Sequence, residues 1–111
     1  MIEYKKRTLA TVLVNRDKAS KLAAVNILYK VGARNENPAR TGFAHLFEHL
    51  MFRSTREIPN FDLPVQMACG DNNAFTNNDY TDFYITLPKD NLETALWLES
   101  DRMEGLDITP E

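Results

Sequence analysis

The spacing of apolar side chains changes at Thr41, and a chain whose period switches there must combine strands with helix. Upstream, Arg7 to Val14 is apolar and β-branched, and Ala23, Val25, Ile27, Tyr29 and Val31 then recur at every second position. That is the period of a strand with one covered face. Asn15, Arg16 and Asp17 supply turn chemistry between the two runs, so the pair reads as strand, turn, strand. Gly32 ends the second run, and Ala33 to Arg40 reads as a polar loop around Pro38. Downstream, Phe43, Leu46, Phe47, Leu50 and Met51 fall at i, i+3, i+4, i+7 and i+8, which is one face of a helix. Thr41 is its expected N-cap, and the apolar face is expected to enter the core.

Ser54 to Asp62 reads as loop, and Leu63 to Ala68 as one or two helical turns closed by Gly70. Asn73 to Asn77 and Tyr80 to Leu87 form a second expected strand pair, turning at Asn77 and Asn78 and stopped by Pro88. Leu92, Ala95, Leu96 and Met103 recur at helical spacing through a segment that closes at Gly105. The expected order is β-β-α-(α)-β-β-α. Thr109, Pro110 and Glu111 supply a cap, a proline at the first helical position and an acid in the first turn, so a further helix is expected to begin there. The chain is therefore expected to be the N-terminal part of a longer polypeptide.

Composition removes several classes of function. At 111 residues, 43% hydrophobic and 26% charged, the chain has the make-up of one globular domain. No apolar run approaches the ~18 residues that span a bilayer, and no signal-peptide apolar core follows the basic stretch of MIEYKKRTLA. No membrane partner is expected, and cytoplasm and periplasm both stay open. Up to Arg56 there are 11 Lys and Arg against 4 Asp and Glu, and beyond it 2 against 12. The basic residues are scattered among strands and turns instead of forming a block, so no nucleic-acid partner is expected. Cys69 is the sole cysteine, which excludes an intramolecular disulfide and a multi-cysteine zinc site. It reads as a small buried hydrophobe, and Trp97 as a core residue or a docking site. Any metal must be held by histidine and carboxylate.

Both histidines lie in one pentapeptide, His45-Leu46-Phe47-Glu48-His49. At ~100° per residue, His45 and His49 stand one turn apart on one helix face, close enough to share a metal ion, with Glu48 beside them. All three point away from the apolar stripe, over open space. Two readings stand at this point. The three can be polar residues on a solvated helix face, or the H-x-x-E-H spacing can be the inverted zincin motif. In the second reading zinc acidifies an attacking water, and Glu48 takes its proton and delivers it to the leaving amine.

HLFEH followed by LMF, with NAFTNNDYTDFYITLP after a spacer, resembles the pitrilysin/insulinase family of zinc metallopeptidases, M16, which includes the mitochondrial processing peptidases. The upstream stretch ILYKVGARNENPARTGFA resembles the family's approach to its zinc helix, so the likeness extends over most of the chain. The resemblance implies an α+β fold, a mostly antiparallel sheet covered by helices, incomplete in this chain. It implies zinc as cofactor, His45 and His49 as metal ligands and Glu48 as the catalytic base. It implies that Asn73, Ala74 and Phe75, with Thr76, form an edge strand that binds an extended peptide by main-chain pairing; the residues alone read better as an ordinary hairpin strand. The family's third zinc ligand is a glutamate on a later helix. Glu93, Glu99 and Glu104 precede that region and Glu111 stands at its threshold, so none matches, and weak or absent zinc binding and inactivity of this chain alone are expected.

The expected partners are a peptide or protein substrate and a second domain or subunit of the same family. Self-association through uncovered apolar surface is also expected. A non-catalytic peptide-binding or assembly module is the alternative, and a lyase of the S-ribosylhomocysteine type, with Cys69 as third ligand, a more distant one. Asn35 and Glu36 are candidates for orienting the zinc helix from the loop before it.

Overall fold

The structure is a computed structural model and describes residues 2–6 and 10–108. Its strands are β1 (Ile2–Lys6), β2 (Thr11–Asn15), β3 (Leu22–Tyr29), β4 (Asp71–Thr76) and β5 (Thr81–Pro88); its helices are α1 (Phe43–Leu50), α2 (Asp62–Met67) and α3 (Leu92–Glu104). The fold is α+β. β3, β5 and β4 form an antiparallel sheet in that order, with β5 in the middle. Among the described residues no helix is long and apolar enough to cross a membrane.

β5 takes the central place because its alternation is strong. Phe83, Ile85 and Leu87 are buried, while Tyr84 and Thr86 are exposed on the other face. Val25 lies opposite Ile85, and Ile27 opposite Phe83, so β3 presents its own apolar face on the same side. Onto that side pack Ile58, Phe61, Val65, Ala95 and Leu98, from the loop before α2 and from α2 and α3, to complete the core. Full burial of each of the larger side chains among these contributes roughly 1.5–3 kcal/mol. α3 lies against β5 and β3, while α1 and α2 lie against β4.

Several expectations are corrected. β2 and β3 belong to different sheets: β2 pairs with β1 as a separate ribbon, from Ile2 opposite Asn15 to Lys6 opposite Thr11. β1 alternates Ile2 and Tyr4 with Glu3 and Lys5 but is only 5 residues long, too short a run to stand out from a basic stretch, so that strand went unpredicted. The expected strand start at Arg7 to Leu9 lies outside the described residues, as does the helix start at Thr109 to Glu111. Cys69 is exposed, not buried, because it takes the left-handed position after α2 at φ 57°. From there Gly70 N–H can reach back to the Val65 carbonyl at 2.8 Å and close the helix.

The largest correction concerns the apolar stripe of α1. Phe43, Leu46 and Phe47 are 46%, 50% and 55% exposed, while Ala44 and Glu48 are the helix's buried residues. The helix meets β4 through a narrow side on which Ala44 has little bulk and the Glu48 carboxylate accepts a hydrogen bond, which offsets part of the cost of burying it. α3 departs in the same way. Ala95 and Leu98 are buried with Glu99, Asp101 and Arg102, whereas Leu92, Leu96, Trp97 and Met103 are exposed.

Candidate metal centre

The loop before α1 is fastened at both of its ends. Gly32 lies so close to the β4–β5 turn that an added Cβ would stand 2.5 Å from the Asn77 carbonyl oxygen. Ala33 N–H donates to Asn77 O at 3.0 Å and Arg34 N–H to Asn78 O at 2.9 Å, and the Arg34 guanidinium meets Asp79 at 3.1 Å. Asn35 Oδ1 accepts the Gly32 N–H at 3.0 Å. The turn itself is held by Asn77 Oδ1, which accepts the N–H groups of Asp79 and Tyr80.

At the far end of the loop, the two oxygens of Glu36 accept the N–H groups of Gly42 and Ala44, each at 2.6 Å. The expected cap, Thr41, is not used. Gly42 occupies the N-cap position at φ 93°, a conformation suited to glycine, and makes no side-chain cap bond. A carboxylate brought from six residues upstream satisfies the free amides instead and complements the positive end of the helix dipole.

On α1, His45 and His49 are exposed and their rings stand 4.6 Å apart between centroids. Their Nε2 atoms converge to 3.0 Å. Two nitrogens bound to one tetrahedral zinc at 2.0–2.1 Å lie roughly 3.3 Å apart, so this pair of donors fits the ion. Among the described residues no group of three or more His, Cys, Asp or Glu is gathered closely enough to hold a metal. Cys69, on its exposed turn after α2, therefore does not join the histidines, which removes the lyase ligand set.

Glu48 is only 9% exposed, so it does not project over open space as expected. Its carboxylate accepts a hydrogen bond from the Thr76 hydroxyl at the end of β4. β4 presents Asn72, Ala74 and Thr76 toward the helices, since these lie opposite Ile85, Phe83 and Thr81. Asn73 and Phe75 consequently fall on the other face and are exposed. Asn73 Oδ1 accepts the N–H of Ala74 at 2.8 Å, and Phe75 stands edge-on to Tyr80 at 5.9 Å. β4 is an edge strand of this sheet.

An open cleft of about 430 Å³ runs between α1, α2 and β4 and is lined by Glu48, His49, Phe52, Asp62, Gln66, Asn72 and Asn73. The structure thus brings Glu48, His49 and Asn73 to one cleft, with His45 beside His49. Thr76 as partner of Glu48 was missed, because the pairing spans 28 residues. The buried charges of α3 were missed as well, although the i, i+3 spacing of Glu99 and Arg102 was available as a signal.

The helix and its spacing are those of an inverted zincin. A model of the insulinase family, peptidase family M16, matches residues 11–109. The chain is 36% identical over 105 residues to the zinc protease PqqE of Helicobacter pylori, covering 93% of this chain and 24% of that protein. It is 28% identical over 100 residues to human insulin-degrading enzyme, covering 85% of this chain and 10% of that enzyme. A crystal structure of a protease from Helicobacter pylori superimposes with a TM-score of 0.90 at 33% identity, covering 98% of this chain and 27% of the other. The chain belongs to peptidase family M16. It spans about a quarter of the length of the Helicobacter protein.

Proposed function

We propose that this chain is the catalytic-helix portion of a zinc-dependent endopeptidase that hydrolyses peptides held in extended conformation. The observation that carries the reading is the approach of His45 Nε2 and His49 Nε2 to 3.0 Å on the helix whose Glu48 lines a cleft along the β4 edge. His45 and His49 hold the ion, and a third protein ligand comes from outside the described residues. Zinc, when bound, polarises a carbonyl and acidifies water.

Glu48 removes the proton from the attacking water and passes it to the leaving amine. The Thr76 hydroxyl fixes one carboxylate oxygen and leaves the other for that proton. The peptide lies along β4 as an added strand. Its main chain takes over the Ala74 N–H that Asn73 now occupies, and the released Asn73 amide holds the peptide backbone. Phe75 offers an exposed ring to a substrate side chain. The described residues supply two ligands and a base, so the chain by itself binds zinc weakly and is inactive.

A non-catalytic peptide-binding or assembly module is the alternative, favoured by the exposed apolar stripe of α1. The Dictyostelium discoideum relative, 28% identical over 87 residues, is named as the beta subunit of a mitochondrial processing peptidase, and a second domain or subunit of the same family fits that precedent. In the full-length protein, Glu48→Gln should keep a full complement of zinc and lose peptidase activity by several orders of magnitude. Undiminished cleavage would exclude Glu48 as base, and a parent protein that takes up no zinc would establish the module.

A further inference from the structure

We infer that Arg102 is a positioning residue for the histidine-bearing helix, acting on its C-terminal end; the inference rests on the reading of α1 as the zinc helix. The Arg102 side chain is 1% exposed and its partner Glu99 is 3% exposed. Its guanidinium carbon lies 4.1 Å from the Phe61 ring centre, 4.5 Å from Phe83 and 5.7 Å from Phe52. Nε donates to Glu99 at 3.3 Å and Nη2 donates to its other oxygen. That leaves Nη1, which donates to the backbone carbonyl of Met51 at 3.2 Å.

A buried ion pair is weak evidence for stability, since well-packed apolar residues of similar volume serve as well or better. Here the pair has a directional task. Met51 closes α1 two residues beyond His49, and the last carbonyls of a helix have no partner within it. Arg102 satisfies one of them with a full positive charge at the negative end of the helix dipole. Phe52, beneath the same guanidinium, lines the cleft with Glu48 and His49. One group therefore fixes both the end of the helix and a wall of the cleft, while Glu99 holds that group in place from α3.

A second buried pair on α3 provides the contrast. Asp101 accepts from the Thr55 hydroxyl, which in turn accepts the Ile58 N–H at 3.0 Å, so this pair anchors the loop before α2 and, among the described residues, makes no bond to α1. The test uses the full-length protein, with Zn²⁺ competed against a chromophoric chelator and Co²⁺ absorption as a readout of ligand geometry. Arg102→Lys should weaken zinc binding by up to about tenfold, the lower end of what losing a direct partner of a metal ligand costs, and alter the Co²⁺ bands. Asp101→Ala, which removes the acceptor of the Thr55 hydroxyl, should lower thermal stability and leave both unchanged. If Arg102→Lys does not fold, Glu99→Leu with Arg102→Met removes both charges together and should still weaken zinc binding. Unchanged zinc affinity in the Arg102 variants, or equal losses in Asp101→Ala, overturns the inference alone. Failure of the unaltered protein to bind zinc overturns the metal reading and this inference with it.

Discussion

Tyr29 stands beside the buried pair of α3. Its ring meets Phe83 edge-on at 5.8 Å, and its hydroxyl is buried with no protein hydrogen-bond partner among the described residues. Burial pushes its pKa above the ordinary tyrosine value; the Glu99 charge adds to that, and Arg102 opposes it. Burial likewise raises Glu99, against the attraction and hydrogen bonds of Arg102. For an acid raised in the folded state, the unfolded chain ionises first, so stability falls as pH climbs from the ordinary value toward the folded one. For Tyr29 that fall begins near pH 10. Tyr29→Phe should flatten this alkaline decline and leave stability at neutral pH unchanged or slightly higher, because a buried unpaired hydroxyl is removed. Urea unfolding between about pH 8 and 11 measures it, and a decline as steep as in the unaltered protein contradicts the assignment.

At the same scale, His45 and His49 were legible because their approach depends only on helical spacing. The burial of Glu48 was not, since it requires a hydroxyl from Thr76 on a strand brought near by the fold.

Among elements, α1 depends on partners outside itself. The Glu36 carboxylate does the work assigned to Thr41, and Glu36→Ala should cost about 1 kcal/mol, the usual effect of removing a cap. It should also raise hydrogen exchange in the first turn of α1. A denaturation midpoint unmoved by that substitution would refute the capping role. Element types and approximate bounds of β3, α1, β5 and α3 followed from periodicity, while those of α2 and β4 followed from the turn residues around them, Gly70 after the one and Asn77 and Asn78 after the other. Partnership did not follow. β2 pairs with β1 instead of β3, and α1 turns a carboxylate inward, because pairing and facing are set by contacts distant in sequence.

At the scale of the molecule, the apolar side chains that remain in contact with water among the described residues include Val12, Leu13 and Val14 on β2, Phe43, Leu46 and Phe47 on α1, and Leu96, Trp97 and Met103 on α3. Exposed apolar surface of this kind associates. The isolated chain is expected to sediment as dimers or larger species at tens of micromolar, and Leu46→Lys with Phe47→Lys should shift it toward monomer. A monodisperse monomer at every concentration would show that these surfaces do not meet.

The seat of Gly32 against Asn77 and Asn78 limits where the molecule can be altered. Because that contact joins the hairpin tip to the loop that holds α1, an epitope or reporter spliced between Asn77 and Tyr80 would push against the helix bearing the two histidines. The exposed connection from Asp17 to Ala19 carries no comparable linkage among the described residues and is the better place for a graft.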